Sequence, residues 1–221
     1  MKHISKIIQQ GNEKKSVNLG KIKTIEKELT VEIKNAFMIS ARSICPDFIV
    51  TKELIQPLND ICTYFLGLEG NLNLNKGIYL SGEYGVGKST LMKCFRQWLA
   101  DWWPFNGNGF MVTSIEEIIE SYKKENNLNK FTNCINEDGF NNPRHLLINE
   151  FGKKIDEKIY GTEAKHIINN LMMIRYDIFQ NQGKLTHITS NSMPYNDDKA
   201  LNDRYVEMFN LIIIDGKSFR K

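Results

Sequence analysis

Ile78-Tyr79-Leu80-Ser81-Gly82-Glu83-Tyr84-Gly85-Val86-Gly87-Lys88-Ser89-Thr90 is the stretch that decides how this chain is read. From Gly82 to Ser89 it fits the Walker A pattern: Gly, any four residues, then Gly-Lys-Ser/Thr. Ile78, Tyr79 and Leu80 form a short apolar run that predicts a buried strand. Leu91, Met92, Phe95, Trp98 and Leu99 recur at helical spacing behind it, so strand, glycine loop and helix follow in the required order. Each residue type has a reason. Gly82, Gly85 and Gly87 let successive backbone N–H groups turn inward toward phosphate oxygens, and the helix N-terminus adds attraction for an anion. Lys88 suits the β- and γ-phosphates, and the Ser89 hydroxyl suits Mg²⁺. The expected cradle for a nucleoside triphosphate is Gly82, Glu83, Tyr84, Gly85, Val86, Gly87, Lys88, Ser89 and Thr90.

Working outward, apolar runs and helical patterns alternate. Downstream, Phe110 to Thr113 reads as a second strand, and Ser114 with Glu117 as a capping box opening a helix. Residues 126–142 hold seven asparagines and read as a polar loop around a short helical piece. Leu146-Leu147-Ile148 is the third strand, followed by Asn149-Glu150. A helix is expected over Thr162 to Gln180, a fourth strand over Leu185 to Thr189 ending in Ser190-Asn191, a helix over Lys199 to Met208, and a fifth strand over Leu211 to Ile214. Alternation of this kind means an α/β fold with a five-stranded parallel sheet flanked by helices. In such sheets ligands gather at the carboxyl ends of strands. Gly82, Glu150 and Asn191 each directly follow a strand, so they should converge.

Upstream, Ile22, Ile25, Leu29, Ile33, Phe37 and Met38 mark a helix with one apolar face. Residues 1–45 carry nine Lys/Arg against four Glu, or +5, which leaves −2 for the remainder of a chain whose net charge is +3. This predicts a basic helical arm, residues 1–45, ahead of a near-neutral domain, residues 46–221. The arm suits nucleic acid, an acidic protein surface or simply solvent. Glu53 to Leu66 reads as a further helix, interrupted early by Pro57 and ended near Gly67.

The hydrophobic fraction of 41% and charged fraction of 25% are those of a globular protein. Neither a membrane-length apolar run nor a signal-peptide pattern is present. Cys45, Cys62, Cys94 and Cys134 lack CxxC or metal-ligand spacing and read as reduced thiols of a cytoplasmic protein. No catalytic role is assigned to the four histidines. Trp98, Trp102 and Trp103 are read as packing at a helix end rather than as a platform for bases.

Hydrolysis needs a carboxylate beside the attacking water and a metal anchored by a strand-end acid. Leu146 to Glu150 is one residue short of a Walker B strand, with Asn149 where Asp is expected and Glu150 placed as the base. Asn149 and Ser89 are therefore the candidate metal-side residues. A rival is Leu211-Ile212-Ile213-Ile214-Asp215, which ends in a true Asp; the earlier strand is preferred because Glu follows at once.

From about residue 47 onward the chain resembles the DnaC/IstB-type AAA+ ATPases, a P-loop NTPase branch of helicase loaders and transposition helpers. Four landmarks carry the likeness: Gly82 to Ser89; Leu146 to Gly152; Thr186-His187-Ile188-Thr189-Ser190-Asn191, like the sensor 1 strand; and Asn202-Asp203-Arg204 with Gly216-Lys217-Ser218-Phe219-Arg220. The resemblance implies ATP and Mg²⁺ as ligands. It implies Asn191 on the γ-phosphate or the attacking water, Arg204 as an arginine finger acting on a neighbouring subunit, and Arg220 on nucleotide phosphate. It also implies an ATP-dependent homo-oligomer, no C-terminal helical lid, single-stranded DNA, and a replicative helicase or a transposase as partner. Two further readings stay open. A non-hydrolysing ATP-dependent interaction switch is favoured by Asn149. A small-molecule kinase is disfavoured because six dispersed arginines supply no Arg-rich lid.

Overall fold

A computed structural model describes residues 19–104, 107–133, 142–152, 158–159, 162–194, 199–216 and 218–219. The chain divides into two compact units, residues 1–39 and 40–221. In the first, helix α1 (Leu19–Ile44) begins, longer than the apolar spacing required, and Val31 and Ile39 on it are exposed.

The second unit is built on five parallel strands: β1 (Gly77–Gly82), β2 (Phe110–Ser114), β3 (His145–Phe151), β6 (Thr186–Ser190) and β7 (Phe209–Ile214). Their spatial order is β2-β3-β6-β1-β7, so β1 lies between β6 and β7. The helices are α2 (Lys52–Phe65), α3 (Lys88–Trp102), α4 (Ile115–Glu125), α5 (Asn129–Thr132), α6 (Ala164–Gln182) and α7 (Lys199–Met208).

Side chains alternate across a strand, and this sheet is covered on both faces. Tyr79, Leu146, Ile148 and Ile188 join one core with Ile118 of α4, Leu171 and Met172 of α6, and Tyr205 and Met208 of α7. On the opposite face His187 meets Phe65 of α2 and Phe110, and Phe65 packs on Phe95 of α3. Truncating one such buried aromatic to Ala costs about 3–5 kcal/mol, a large share of the roughly 5–15 kcal/mol that holds a domain together. Trp98 is wholly buried against Phe95, so no base could stack on it. Trp102 donates its indole N–H to Ser40 Oγ at 3.1 Å.

Three local expectations need correction. Helix α2 runs through Pro57 without a break. A proline in that position removes one backbone donor, and here the buried Pro57, Leu58, Ile61 and Phe65 stripe holds the helix together. The capping box is half formed. Ser114 Oγ accepts from the Glu117 N–H (3.2 Å), but the Glu117 carboxylate accepts from Thr113 Oγ1 (3.0 Å) and pairs with Lys130 (2.8 Å). Finally, an antiparallel pair, β4 (Lys158–Ile159) with β5 (Thr162–Glu163), precedes α6, where a helix start was expected at Thr162. The seven-asparagine loop lies partly outside the described residues; α5 is the helical piece within it.

Candidate nucleotide site

The loop between β1 and α3 is shaped by glycines at two points. Gly82 has φ +154°, and a Cβ there would sit 2.3 Å from the Ile214 carbonyl oxygen of β7, a backbone atom that cannot yield. Gly87 caps α3 in a left-handed conformation (φ 89°, ψ 10°) that side-chain-bearing residues avoid. Val86 turns inward and is buried, while Tyr84 is exposed.

Lys88, at the first turn of α3, is buried to 7% exposure, and its ammonium meets three oxygens. It donates to the carbonyls of Gly82 (2.8 Å) and Glu83 (2.7 Å) and to Asn191 Oδ1 (2.8 Å). A buried ammonium needs such acceptors. The bond to Asn191 joins the end of β6 to the loop after β1. Asn191 is held there by its neighbours: Ser192 O accepts from Tyr79 Oη (3.1 Å) and Ser81 Oγ (3.2 Å) of β1, and Ser192 N–H donates to Ser190 Oγ (3.1 Å).

Between Ile148 and Phe151, β3 carries one residue more than β6 opposite it, a bulge at Asn149-Glu150. Glu150 adopts φ 56°, unusual for a residue with a side chain. Asn149 is buried, and its Oδ1 accepts from Thr189 Oγ1 (3.0 Å); the same hydroxyl accepts from the Glu150 N–H (3.1 Å) and lies 3.5 Å from Ser89 Oγ.

Lys88, Ser89, Thr90, Glu150 and Asn191 line one cavity of about 640 Å³. Phe48, Ile49, Leu54 and Phe219 add apolar surface to the same lining. Phe219 reaches the glycine loop directly, its N–H donating to Gly85 O at 3.0 Å. Such a cleft, lined by both polar and apolar groups, suits a nucleotide. The donor set also fits a triphosphate: the glycine loop backbone, an ammonium, a hydroxyl and a helix N-terminus. Ser89 Oγ is the side-chain oxygen at the start of α3 that could take a metal ion held on phosphate oxygens, with Thr189 and then Asn149 behind it.

Not all sequence candidates meet there. Arg204, on α7, stands over the Tyr176 ring of α6 at 5.2 Å, with Nη1 against Met173 Sδ; it does not line this chain's own cavity. Asp215 follows the edge strand β7 and lines a separate groove with Glu53 and Asp60. Arg220 lies outside the described residues, as do Cys134 and Lys217. Of the described cysteines, Cys62 and Cys94 are buried, and burial pushes the Cys94 thiol up to about 12. Cys45 is half-buried at the cavity wall. His145 and His187 are neutral structural acceptors. Burial, then neighbouring positive groups, lower them to about 4 and about 3, and their Nδ1 atoms accept from Leu185 and Ile78 N–H.

Sequence reasoning missed Thr189 as a site residue, although a polar residue in a fully buried strand was a visible signal. It also missed Phe48, Ile49 and Leu54, for which local pattern offered none.

Neither a family model nor a curated protein matches this sequence. Solved structures do. The chain superposes on DnaI with a TM-score of 0.55 at 18% identity, covering 81% of this chain and 93% of that one. For the DnaC helicase loader the values are 0.52, 18%, 77% and 95%. For AMPPCP-bound DnaA from Aquifex aeolicus they are 0.53, 15%, 76% and 48%, so this chain spans under half of DnaA. No helix among the described residues is long and apolar enough to cross a membrane. The five-stranded parallel sheet, its flanking helices and these neighbours together show that the chain has the fold of DnaI and the DnaC helicase loader.

Proposed function

We propose that this chain is an ATP-binding, slowly hydrolysing AAA+ protein that loads a replicative helicase onto single-stranded DNA. One observation carries the reading: the Lys88 ammonium bonded to Asn191, beside Glu150 and Ser89, in one cleft of a DnaC-like fold. When bound, ATP with Mg²⁺ supplies an electrophilic phosphorus and the charge neutralisation that phosphoryl transfer to water requires. The chain's residues do the rest. The loop from Gly82 to Thr90 holds phosphate through backbone N–H groups, and Lys88 exchanges carbonyl partners for phosphate oxygens. The Ser89 hydroxyl is the metal-side ligand, and Glu150 orients the attacking water as base. Asn191 hydrogen-bonds the γ-phosphate or that water. Arg204 completes a neighbouring subunit's site in an ATP-dependent homo-oligomer, and Arg220 contacts phosphate. The arm of residues 1–45 binds the helicase, with residues 46–221 as the ATPase domain in the cytoplasm.

A second reading has its own observation. Asn149 supplies no negative charge where the metal-side acid would stand, which favours a switch that ATP sets and hydrolysis barely resets. The experiment is a loading assay with the host's hexameric helicase and circular single-stranded DNA. The loader reading expects helicase deposition that requires this chain and ATP and is lost in Lys88→Ala. Deposition that is the same with and without the chain refutes it. Full deposition with a non-hydrolysable ATP analogue, at many turnovers of the loader, favours the switch.

A further inference from the structure

We propose that Thr189 is a positioning residue of this site, the group through which strand β6 holds both the base and the metal-side amide of strand β3. The inference rests on the ATPase reading above for its catalytic consequence, though not for its geometry. The bulge at Asn149-Glu150 pulls two consecutive residues out of regular pairing with β6, and Glu150 takes a left-handed backbone. Such a conformation persists only where its surroundings hold it. The Thr189 hydroxyl does so from both sides: it accepts from the Glu150 N–H at 3.1 Å and donates to Asn149 Oδ1 at 3.0 Å. A hydroxyl has one proton to give, and it goes to Asn149; its lone pairs serve Glu150. At 3.5 Å the same oxygen lies beside Ser89 Oγ, so one side chain adjoins the metal-side hydroxyl, the metal-side amide and the base.

Two consequences follow. Glu150 is aimed through its own backbone, so its carboxylate direction depends on a residue 39 positions away. Asn149 is also oriented: with its oxygen turned to Thr189, its NH₂ projects from the other edge of the amide, in the same plane. An NH₂ donates and cannot accept from metal-bound water. The strand end thus offers a hydrogen-bond donor where an acid would offer charge, and Thr189 fixes that choice. Thr189 itself is 1% exposed and serves from within the sheet.

The test uses the full chain with Thr189→Val, which keeps the β-branched shape, and Thr189→Ser, which keeps the hydroxyl. Amide hydrogen exchange over residues 149–151 is read without nucleotide, and ATP turnover and ATP affinity are read on the same preparations. Thr189→Val should lose exchange protection at 149–151 and lower kcat by about ten- to a hundredfold, the usual effect of losing a partner one shell out. Its KM for ATP should stay within about threefold, the signature of a lost transition-state alignment. Thr189→Ser should restore both. Wild-type-like protection in Thr189→Val, or failure of Thr189→Ser to restore it, overturns the proposal. So does a KM that rises while kcat holds. A wild-type chain that binds ATP without turning it over removes hydrolysis from the proposed function, and the exchange measurement then decides the role of Thr189 alone.

Discussion

Replacing His187 by Phe should flatten the dependence of stability on pH. His187 sits in the middle of β6, 1% exposed, its ring against Phe65 and Phe110 and its Nδ1 accepting from the Ile78 N–H at 3.1 Å. Burial, then His145 and Arg175, lower its pKa from 6.5 to about 3. The unfolded chain therefore binds a proton that the folded chain refuses between those two values. This contribution to stability is complete above pH 6.5 and is lost as pH falls toward 3. Linkage gives a loss of about 2 kcal/mol between pH 7.5 and pH 5 from this one group. Phe is close in volume but leaves the Ile78 N–H without its acceptor, which costs about 1–3 kcal/mol at pH 7.5. The variant should begin less stable, and the gap to wild type should close by about 2 kcal/mol at pH 5. Urea unfolding followed by tryptophan fluorescence at four pH values from 7.5 to 5 measures both curves. Parallel curves would refute the reasoning, because they would mean that His187 titrates alike in folded and unfolded chains.

Two further substitutions probe the site. Asn149→Asp restores the anionic oxygen that Asn149 lacks, so it should raise ATP turnover by about tenfold or more and lower the Mg²⁺ concentration for half-maximal rate; superimposable Mg²⁺ titrations would remove Asn149 from the metal side and make Asp215 the next residue to change. Arg204→Ala, inactive alone, should regain part of its activity when mixed with Glu150→Gln, because some interfaces then pair an intact Arg204 with an intact Glu150. Normal turnover by Arg204→Ala in proven assemblies would reject the finger and leave Arg204 as packing on Tyr176.

Most of the sheet was legible because its strands are short apolar runs set between helices of steady three-to-four spacing. Walker A spacing fixed the order of β1, loop and α3 without help from the rest of the chain. The bonds that make the site were not legible, because they cross from strand to strand. Lys88 with Asn191 spans 103 positions and Thr189 with Asn149 spans 40, and no local pattern encodes either distance. The bulge at Asn149-Glu150 depends on pairing register with β6, which a single strand does not reveal. Pro57 misled because local preference argued for a break, and the buried stripe on either side of it overrode that preference. The two-residue strands β4 and β5 are too short to leave any periodicity.

Whether the cleft around Lys88 binds ATP is decided by equilibrium binding of ATP in the presence of Mg²⁺ to wild type, Lys88→Ala and Glu150→Gln. Wild type should bind, Glu150→Gln should bind as tightly without turnover, and Lys88→Ala should show no detectable binding. Wild-type affinity in Lys88→Ala, or equal loss in both variants, would contradict the proposed site.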